Sequence, residues 1–540
     1  MSGKQESTGR DCDAAIIGAG FGGLYALHKL RNEIGLDVRS FDDAGGVGGT
    51  WYWNRYPGAR SDTEVTAYCY SFDRQLWDDW QWTERYPRQS EILAYLNEVA
   101  RRHDLFRSIE FNSRITRAVW DEDANRWRLT TDKGETFSAQ FLIEGVGLLS
   151  STNYPDFAGA EQFKGEIFHT ARWPHAGIDL RGKRVGVIGT GSSGIQLIAE
   201  IAPQVAQLCV FQRTPQYVVP SQHSPISQQA LAAIREDYDG YWRSVLDSAT
   251  AFGIHESAIP AASVSADARE AVFEQAWQAG GGFRFMLGTF SDIITDVDAN
   301  DAATDFIRRK IRAIVRDPTI AKALTPTDLY AKRPLCCDDY YETFNRDNVT
   351  LIDVKSHPIS AITEHGILTA AGHYDLDVII FATGFDAVTG NYLKIDTRGR
   401  GGLTLQEKWA HGPRAFIGLT IADFPNLFMI FGPFGPFTNQ PPVHEFQINW
   451  FADAIAHARS QGVKSFEVGK DLEDRWIDEC NAIANTTLFP QVDSWINGAN
   501  IIGKPKATMF YMAGMAAYAT HLRDLAANDY RGFIVDGQQR

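Results

Sequence analysis

A glycine-rich turn between a strand and a helix occurs twice in this chain and constrains the fold more than any other feature of the sequence. In the first copy, DAAIIGAGFGGLYALHKL, an apolar strand leads through Gly18, Gly20 and Gly23 into a helix. Gly18 permits the tight turn, Gly20 lets backbone approach a pyrophosphate, and Gly23 packs the helix on the strand. The next strand, LDVRSF, ends in Asp42, at the place where an acidic residue binds a ribose hydroxyl. The segment therefore predicts a dinucleotide-binding unit.

The second copy is KRVGVIGTGSSGIQLIAEI, with Gly189, Gly191 and Gly194 at the same spacing. Its next strand, QLCVFQR, ends in Arg213 instead of an acid. An acid repels a 2′-phosphate, whereas a guanidinium makes a bidentate, charge-assisted hydrogen bond to it. This site is therefore predicted to prefer NADPH to NADH, and a surface ion pair is the alternative for Arg213.

Two nucleotide sites indicate one nucleotide held as a prosthetic group and one that is exchanged. FAD suits the first site, because its adenosine ribose carries no 2′-phosphate for Asp42 to repel, and NADPH suits the second. Further on, the apolar strand in YDLDVIIFATGFD ends at Ala382, Thr383 and Gly384. This segment could return the chain to the first unit, and a buried strand followed by a turn is an equal alternative.

The predicted fold is α/β, with two Rossmann-like dinucleotide-binding domains, for FAD and NADPH, and a helical insertion in the NADPH domain. At roughly 150 residues per domain, a chain of 540 residues has room for three or four units. Residues 1–155 and 381–540 are predicted to form the FAD domain, and 156–220 and 331–380 the NADPH domain. Residues 221–330 form the insertion, because AREAVFEQAWQ and DFIRRKIRAIV carry apolar residues at helical spacing. Core burial is the default for that apolar stripe, and a substrate-lining role is the alternative.

Composition excludes several classes of protein. The chain has no apolar run near the roughly 18 residues of a membrane span, and MSGKQESTGR lacks the apolar core of a signal peptide. A net charge of -15 would repel nucleic acid. The six cysteines lack CxxC spacing, which predicts neither a metal site nor a redox disulfide and fits a reducing compartment. We therefore expect a cytoplasmic enzyme with small-molecule partners, and the sequence leaves its oligomeric state open.

Three motifs carry a resemblance to a known family. FKGEIFHTARWP has the spacing FxGxxxHxxxWP, GGTWYWNRYPGARSD follows the first fingerprint, and ATG ends the later strand. In this order the motifs resemble those of the type I Baeyer-Villiger monooxygenases, of the cyclohexanone type, over nearly the whole chain. The residues of the first two motifs that match are Phe163, Gly165, His169, Trp173 and Pro174, and Gly49, Trp51, Tyr56, Pro57, Gly58 and Asp62.

The resemblance implies a catalytic pair. Arg333, in YAKRPLCCDDYYETFNRDN, matches the fixed cation of the family, and Asp62 would hold it in place. Arginine suits that task because it stays protonated and offers several donors in a rigid fork. For Asp62 the alternative is a capping box over Ser61–Glu64, in which the carboxylate only complements a helix dipole. Lys332 resembles a second contact to the NADPH 2′-phosphate, with a solvated lysine as the alternative.

The resemblance assigns the remaining site residues as well. In the fingerprint FxGxxxHxxxWP, His169 is expected to organise domain docking instead of acid–base catalysis, with Phe163, Gly165 and Trp173 as parts of the same linker. Further contacts to the cofactors are implied for Gly49, Thr50, Trp51, Thr190, Ser192, Ser193, Gln196, Thr214 and Trp495. Trp495, in SWINGANIIGKP, falls in a region similar to the mobile loop that closes over NADPH.

Two phenylalanines give a hint about the substrate. Phe434 and Phe437, in the aromatic loop FGPFGPFTNQPP, are candidate substrate-lining residues, and ordinary core residues are the alternative. The loop resembles the uninterrupted loop of the cyclohexanone type, which favours cyclic or aliphatic ketones.

The reaction that the resemblance implies begins with hydride transfer from NADPH to FAD. O2 then gives a C4a-peroxyflavin, kept anionic near Arg333, which attacks the ketone and leaves an ester or a lactone. The alternative function is a flavin monooxygenase that oxidises amines or sulfides. A disulfide reductase is disfavoured because no CxxxxC pair follows the first fingerprint, and a non-enzymatic NADPH sensor would not need Arg333 and Asp62.

Overall fold

The computed structural model describes residues 11–539, so the N-terminal segment MSGKQESTGR lies outside the described residues. The strands, in chain order, are β1 Cys12–Ile17, β2 Val38–Phe41, β3 Ile109–Glu110, β4 Ile115–Asp121, β5 Arg126–Thr131, β6 Thr136–Glu144, β7 Glu166–His169, β8 Arg184–Ile188, β9 Gln207–Gln212, β10 Val218–Val219, β11 Leu335–Cys336, β12 Val349–Asp353, β13 Ile359–Thr363, β14 Gly366–Thr369, β15 Gly372–Asp375, β16 Val378–Phe381, β17 Asp396–Arg398, β18 Leu427–Met429, β19 Gly435–Pro436, β20 Phe466–Val468, β21 Phe510–Tyr511, β22 Phe533–Val535 and β23 Gln538–Gln539.

The α-helices of the same range are α1 Phe21–Leu27, α2 Thr50–Trp53, α3 Arg74–Asp79, α4 Gln89–Arg102, α5 Ser192–Ile201, α6 Gln228–Glu236, α7 Tyr238–Leu246, α8 Ala266–Ala279, α9 Gly282–Gly288, α10 Val297–Ile314, α11 Pro318–Leu324, α12 Tyr340–Thr343, α13 Leu405–Lys408, α14 Gln440–Ser460, α15 Lys470–Ala484 and α16 Met515–Ala527. None of the helices in residues 11–539 is both long enough and apolar enough to span a membrane.

The first fingerprint lies in an eight-stranded sheet. Its order is β17-β4-β5-β6-β1-β2-β3, with β18 also paired to β6. Strand β1 is parallel to β2 on one side and to β6 on the other, and β18 is parallel to β6. Ile17, Glu144 and Met429 are level across β1, β6 and β18, so the loops that follow these three strands meet at one carboxyl edge, where α/β sheets bind their ligands.

The second fingerprint lies in a five-stranded parallel sheet of order β12-β9-β8-β16-β7. Strand β16, which ends just before the ATG triplet, lies between β8 and β7, and the edge strand β7 carries His169. The two sheets with helices packed against them confirm the predicted α/β fold with two Rossmann-like units. The predicted limits of the domains stay predictions.

The helices of residues 221–330 do not share one core. Ile226, Leu231, Tyr238 and Trp242 pack into the core of the first sheet, whereas α8 to α11 contribute Phe273, Phe306 and other side chains to the core of the second sheet. Because α6 and α7 pack on one nucleotide unit and α8 to α11 on the other, the helical segment bridges both sheets.

Candidate active site

A cavity of 1230 Å³ is lined by residues of both fingerprints. Pockets for a single drug-sized molecule have volumes of about 300–1,000 Å³, so this cavity has room for more than one ligand. Its wall contains Gly18 and Gly20 from the first sheet and Gly189 and Gly191 from the second. The structure therefore places both predicted nucleotide sites on one continuous space.

The first fingerprint has the geometry that its glycines predict. Gly18 has φ +108°, and a Cβ atom there would lie 2.3 Å from the carbonyl oxygen of Gly145. A Cβ atom on Gly23 would lie 1.9 Å from the carbonyl oxygen of Gly18, because α1 packs directly on β1. A Cβ atom on Gly20 would lie 3.4 Å from the Cα atom of Gly49. Side chains are thus excluded where a pyrophosphate needs exposed backbone.

Asp42 lies at the end of β2 on the cavity wall. Its carboxylate accepts hydrogen bonds from the backbone N–H of Ala19 at 2.6 Å and of Ala44 at 2.8 Å. Burial raises the pKa of Asp42 to about 6, against the lowering effect of these two bonds. Asp42 therefore fixes the glycine turn next to β2, and the remaining lone pairs of its oxygens are available for a ribose hydroxyl.

The second fingerprint repeats this arrangement on β8 and α5. Gly189 has φ +108°, and a Cβ atom on Gly194 would lie 2.3 Å from the carbonyl oxygen of Gly189. Nothing lies within 4 Å of a Cβ atom built on Gly191, so that residue faces open space. The cavity wall here consists of Gly189, Thr190, Gly191, Ser192 and Ser193.

Gln196 is not among the residues of the cavity wall, and its predicted contact to the cofactor stays a prediction. Its side chain is buried and accepts a hydrogen bond from the Tyr56 hydroxyl at 2.9 Å, while its amide donates to the carbonyl oxygen of Arg60 at 3.3 Å. The reason is helical geometry, because the inner face of α5 turns Gln196 toward the motif GGTWYWNRYPGARSD and away from the glycine turn. Gln196 thus joins the two nucleotide units.

Three residues form the end of the cavity beyond the second fingerprint. Arg213, Thr214 and Lys332 all line the wall, and Thr214 accepts a hydrogen bond from the Thr190 hydroxyl at 3.2 Å. Lys332 also pairs with Asp328. Both cations act on Asp493, whose pKa is lowered chiefly by its hydrogen bond to Lys506. This end of the cavity therefore offers two cations to a phosphate.

Arg333 and Asp62 form a bidentate ion pair on the cavity wall. Nη2 of Arg333 donates to Oδ1 of Asp62 at 2.6 Å, and Nη1 donates to Oδ2. The guanidinium lies 5.2 Å from the ring centroid of Phe283. Burial alone would lower the pKa of Arg333, but the contact with Asp62 raises it above its ordinary value. The pair therefore holds a permanent cation at a defined place.

The capping-box alternative for Ser61–Glu64 is wrong, because no α-helix of the described chain begins there. The Ser61 hydroxyl accepts a hydrogen bond from the backbone N–H of Thr63 at 3.0 Å within a local turn. The Glu64 carboxylate instead accepts hydrogen bonds from Arg85 at 2.8 Å and Arg284 at 2.6 Å. Glu64 therefore forms ion pairs with distant arginines and does not cap a helix.

His169 links the fingerprint FxGxxxHxxxWP to the ATG triplet. Its Nδ1 accepts a hydrogen bond from the backbone N–H of Ala171 at 3.0 Å, which leaves Nε2 to donate to the Thr383 hydroxyl at 3.3 Å. Thr383 in turn donates to the carbonyl oxygen of Asn153 at 2.6 Å. Burial lowers the pKa of His169 to about 4, and the residue is not on the cavity wall. This geometry fits a role in positioning.

The other fingerprint residues surround the edge strand β7. Trp173 is buried in the core on one face of the second sheet, and Phe163 packs into the core on the other face. A Cβ atom on Gly165 would lie 2.2 Å from the carbonyl oxygen of Asp377 and 2.6 Å from the ring of Phe163. The motif therefore fixes the segment that leads into the second unit.

The motif GGTWYWNRYPGARSD lines the cavity where its match to the family implied contacts. Gly49, Thr50 and Trp51 are all on the wall. Gly49 has φ +53°, and the Trp51 indole N–H donates to the Tyr68 hydroxyl at 3.1 Å. Trp495 also lines the cavity, from the segment between α15 and β21.

Of the two predicted substrate-lining residues, Phe437 lines the cavity and Phe434 does not. Phe434 is buried, and its backbone N–H donates to the carbonyl oxygen of Met509 at 2.8 Å. With φ +63° its backbone turns the side chain into the core. Phe434 therefore lies in the core in this structure, and a substrate-lining role for it stays a prediction, because spacing in a loop does not reveal which ring faces inward.

The sequence interpretation missed two aromatic residues of the cavity wall. Phe252 follows α7 and Phe283 lies in α9, and their rings stack with centroids 3.8 Å apart. Both come from the helical segment, for which a substrate-lining role was the alternative to core burial. The signal was weak, because the two residues are far apart in sequence and share no motif with Arg333.

The described residues contain no group of three or more His, Cys, Asp or Glu side chains suited to a metal ion. All six cysteines are free thiols, and five of them are buried. Cys336 lies next to the catalytic candidate Arg333 in space, but burial raises the pKa of its thiol to about 12. These thiols are therefore protonated packing groups at neutral pH.

Comparison with known proteins identifies relatives of this chain. A family model described as flavin-binding monooxygenase-like matches residues 12–226. A Baeyer-Villiger monooxygenase of Pseudooceanicola batsensis is 53% identical, over 98% of this chain and 97% of that protein. A phenazine N-monooxygenase of Lysobacter antibioticus is 48% identical, over 97% of both chains.

A crystal structure of cyclohexanone monooxygenase from Rhodococcus sp. Phi1 bound to NADP+ superposes with a TM-score of 0.96 at 51% identity, and covers 98% of this chain and 99% of that chain. The likeness extends over both nucleotide units and the helices between them. The predicted resemblance and enzyme class are confirmed: the chain belongs to the Baeyer-Villiger monooxygenases.

Proposed function

We propose that this protein is an FAD- and NADPH-dependent monooxygenase that inserts one oxygen atom from O2 next to a ketone carbonyl to give an ester or a lactone. The observation that carries the proposal is the Arg333–Asp62 pair on the wall of a cavity shared by both fingerprints. A fixed cation at the meeting point of two nucleotide sites stabilises developing negative charge in a place from which water is largely excluded.

FAD fits the first unit. Gly18 and Gly23 leave no room for a side chain along the turn, and Asp42 and Thr50 line the wall next to it. The carboxylate of Asp42 suits a ribose without a 2′-phosphate, and exposed backbone suits a pyrophosphate. The flavin-binding monooxygenase-like match to residues 12–226 includes the N-terminal part of this unit and supports the same cofactor.

NADPH fits the second unit. Thr190 and Ser192 line the wall next to the glycine turn, and Arg213 and Lys332 supply positive charge where the strand β9 ends. The relative from Rhodococcus sp. Phi1 binds NADP+, which supports the choice of a phosphorylated nicotinamide nucleotide. Trp495 would cover this nucleotide from the segment that also contains Asp493.

The preference for NADPH gives a direct test of this site. Replacing Arg213 with Ala removes a charge-assisted hydrogen bond of about 1.5 to 3 kcal/mol, so the ratio of kcat/KM for NADPH over NADH should fall roughly 10- to 150-fold. Steady-state NAD(P)H oxidation measures the ratio. The matched control is Arg181→Ala, because Arg181 is exposed and pairs with Asp179 at 2.8 Å, outside the cavity wall. An unchanged ratio in Arg213→Ala would assign the residue to a surface role.

The bound flavin, once reduced by NADPH, supplies the activated oxygen, and the chain supplies binding, orientation and charge. Arg333 holds a proton at any working pH and presents its guanidinium to the cavity, while Asp62 fixes the orientation of that fork. Trp51, Phe252 and Phe283 line the same cavity and would limit the entry of water. His169 stays neutral above its pKa of about 4 and keeps Thr383 in place.

We propose cyclic or aliphatic ketones as substrates. Phe252, Phe283 and Phe437 supply apolar surface to the cavity wall, and the guanidinium of Arg333 lies 5.2 Å from the ring centroid of Phe283. Apolar walls with one placed cation suit a small, uncharged ketone whose carbonyl oxygen gains negative charge.

We also propose the limits of the domains. Residues 1–155 with 381–540 would form the FAD domain, 156–220 with 331–380 the NADPH domain, and 221–330 the helical insertion.

One experiment tests the whole proposal. The purified protein is mixed with NADPH, O2 and panels of cyclic ketones, linear ketones, tertiary amines and sulfides, while oxygen uptake and product mass are followed. We expect ester or lactone formation coupled to NADPH oxidation. If no ketone couples while amines or sulfides are oxygenated, the chain performs heteroatom oxygenation, as the name of its phenazine-oxidising relative says of that protein.

A further inference from the structure

His444 is a buried cavity residue that none of the motifs contains. It lies in α14 with 7% of its surface exposed, and it is part of the cavity wall. Its ring packs edge-on against Phe431, with centroids 5.9 Å apart. Nδ1 is buried and has no hydrogen-bond partner among residues 11–539. A buried nitrogen left unpaired is unfavourable, so His444 is a cavity-wall residue with hydrogen-bonding capacity that the described chain does not use.

Two contacts fix where His444 lies relative to the first fingerprint. The Tyr25 hydroxyl of α1 donates to Asn449 of α14 at 2.8 Å. One turn earlier, Phe21 of α1 and Glu445 of α14 are linked through two neighbouring residues. The Tyr70 hydroxyl donates to the carbonyl oxygen of Phe21 at 2.6 Å, and the backbone N–H of Ser71 donates to the Glu445 carboxylate at 2.6 Å. Helices α1 and α14 therefore run parallel, and His444 is level with the start of α1 at the glycine turn.

The sheet order decides which half of the dinucleotide reaches His444. Asp42 ends β2, which lies on one side of β1. Phe431, which touches His444, follows β18, and β18 pairs with β6 on the other side of β1. Because the adenosine ribose belongs to the side of Asp42, a dinucleotide that crosses the glycine turn brings its opposite half to His444.

The side chain is also in the right protonation state for a neutral contact. Burial lowers the pKa of His444 to about 3, so the imidazole is uncharged at neutral pH and carries one donor and one acceptor. A polyol chain or a flavin ring, each with neutral donors and acceptors, matches such a group.

We infer that His444 makes a hydrogen bond to the flavin half of FAD, including its ribityl chain, and so contributes to flavin affinity independently of the glycine turn and Asp42. The inference rests on the proposed binding of FAD. It adds a cofactor contact on α14 to those expected from the two fingerprints and the motif GGTWYWNRYPGARSD.

The test compares FAD with ADP, which lacks the flavin half. Flavin fluorescence measures the Kd of FAD for the full-length protein after removal of its cofactor, and competition with FAD measures the Kd of ADP. In His444→Phe, which keeps the ring size and removes the hydrogen bond, FAD affinity should fall roughly 2- to 10-fold while ADP affinity stays within about twofold. His444→Asn, which keeps a polar atom near the position of Nδ1, should recover part of the loss.

The matched control is His457→Phe, on the same helix and far from the cavity, where the ring pairs with Asp529 at 3.0 Å. Equal FAD affinity in wild type and His444→Phe overturns the inference. An equal loss for FAD and ADP overturns it too, because the substitution then disturbs the whole site. If the wild-type chain binds no FAD, the proposed function itself fails. His444→Asn decides the matter if His444→Phe does not fold, as judged by circular dichroism.

Discussion

The guanidinium of Arg333 and the carboxylate of Asp62 are 271 residues apart in sequence and form a bidentate pair on the cavity wall. Removing a preorganised donor typically costs about 2.7 to 4 kcal/mol of transition-state stabilisation. We therefore expect Arg333→Ala to lower ketone oxygenation roughly 100- to 1000-fold, while flavin reduction by NADPH suffers less. Rapid-reaction absorbance follows flavin reduction, and product mass follows oxygenation.

Arg333→Lys tests the planar guanidinium of this residue separately from its charge. Lysine keeps the charge but loses the planar fork that pairs with Asp62, so its oxygenation rate should lie between those of wild type and Arg333→Ala. If Arg333→Ala instead oxygenates ketones at the wild-type rate, the charge at this position is not required for the reaction.

Glu144 is a fully buried carboxyl group at the end of β6. One of its oxygens accepts a hydrogen bond from the Thr397 hydroxyl at 3.3 Å, and the other has no partner in the described chain. Burial raises the pKa of Glu144 from 4.5 to about 8. The folded protein thus keeps this proton in a range of pH where the unfolded chain has lost it.

The raised pKa of Glu144 sets the sign of a pH effect on stability. The contribution is fully present below pH 4.5 and is lost as pH rises through 8. Between pH 6 and 8 the wild type should lose about 2 to 3 kcal/mol of unfolding free energy from this group, and Glu144→Gln should not. Urea unfolding of both proteins at the two pH values measures the difference. Parallel losses in both proteins would contradict the assignment.

At the scale of single elements, each glycine turn binds its helix to its strand through one close contact. In α1 the contact is from Gly23 to the carbonyl oxygen of Gly18, and in α5 it is from Gly194 to that of Gly189. A methyl group at either position would meet backbone at 1.9 Å or 2.3 Å, which only displacement of the helix can relieve. The two turns therefore allow each nucleotide site to be impaired separately.

We expect Gly23→Ala to lose most of its FAD while Gly194→Ala keeps FAD and loses affinity for NADPH. The flavin absorbance of the purified protein measures FAD content, and the NADPH dependence of flavin reduction measures the second affinity. Ala206→Ser is the control, because Ala206 is exposed and is not part of the cavity wall. Loss of both nucleotides from both variants would mean that the two sites fold as one.

The sequence could predict those features of the fold and the site that depend on residues adjacent in the chain. The glycine turns, Asp42 and the place of Arg213 depend on a strand, a turn and a helix that are adjacent in sequence, and the structure contains them. Phe434 and Gln196 depend on which way a loop or a helix face points, which distant elements decide. Phe252, Phe283 and His444 reach the cavity only because α7, α9 and α14 pack around it.

At the scale of the whole molecule, the two nucleotide units are joined by buried polar contacts. Tyr56 donates to Gln196 at 2.9 Å, and Gly58 is so close to α5 that a Cβ atom would lie 2.7 Å from the carbonyl oxygen of Gln196. These contacts set the distance between one nucleotide and the other.

We expect Gln196→Leu to leave the Kd of NADPH within about threefold and to slow flavin reduction, because a small misplacement of reacting groups costs rate more than affinity. Rapid mixing with NADPH separates the two quantities. A variant that loses affinity by 30-fold or more, roughly 2 kcal/mol, with an unchanged limiting rate would instead assign Gln196 to the cofactor.

The shared cavity also has a kinetic consequence. The proposed sites for flavin, nicotinamide and ketone lie in one continuous space of about 1230 Å³, so a ligand bound in one part of it would restrict binding in the rest. Bulky ketones should therefore act as competitive inhibitors of NADPH when they bind before it, and turnover should fall at high ketone concentration.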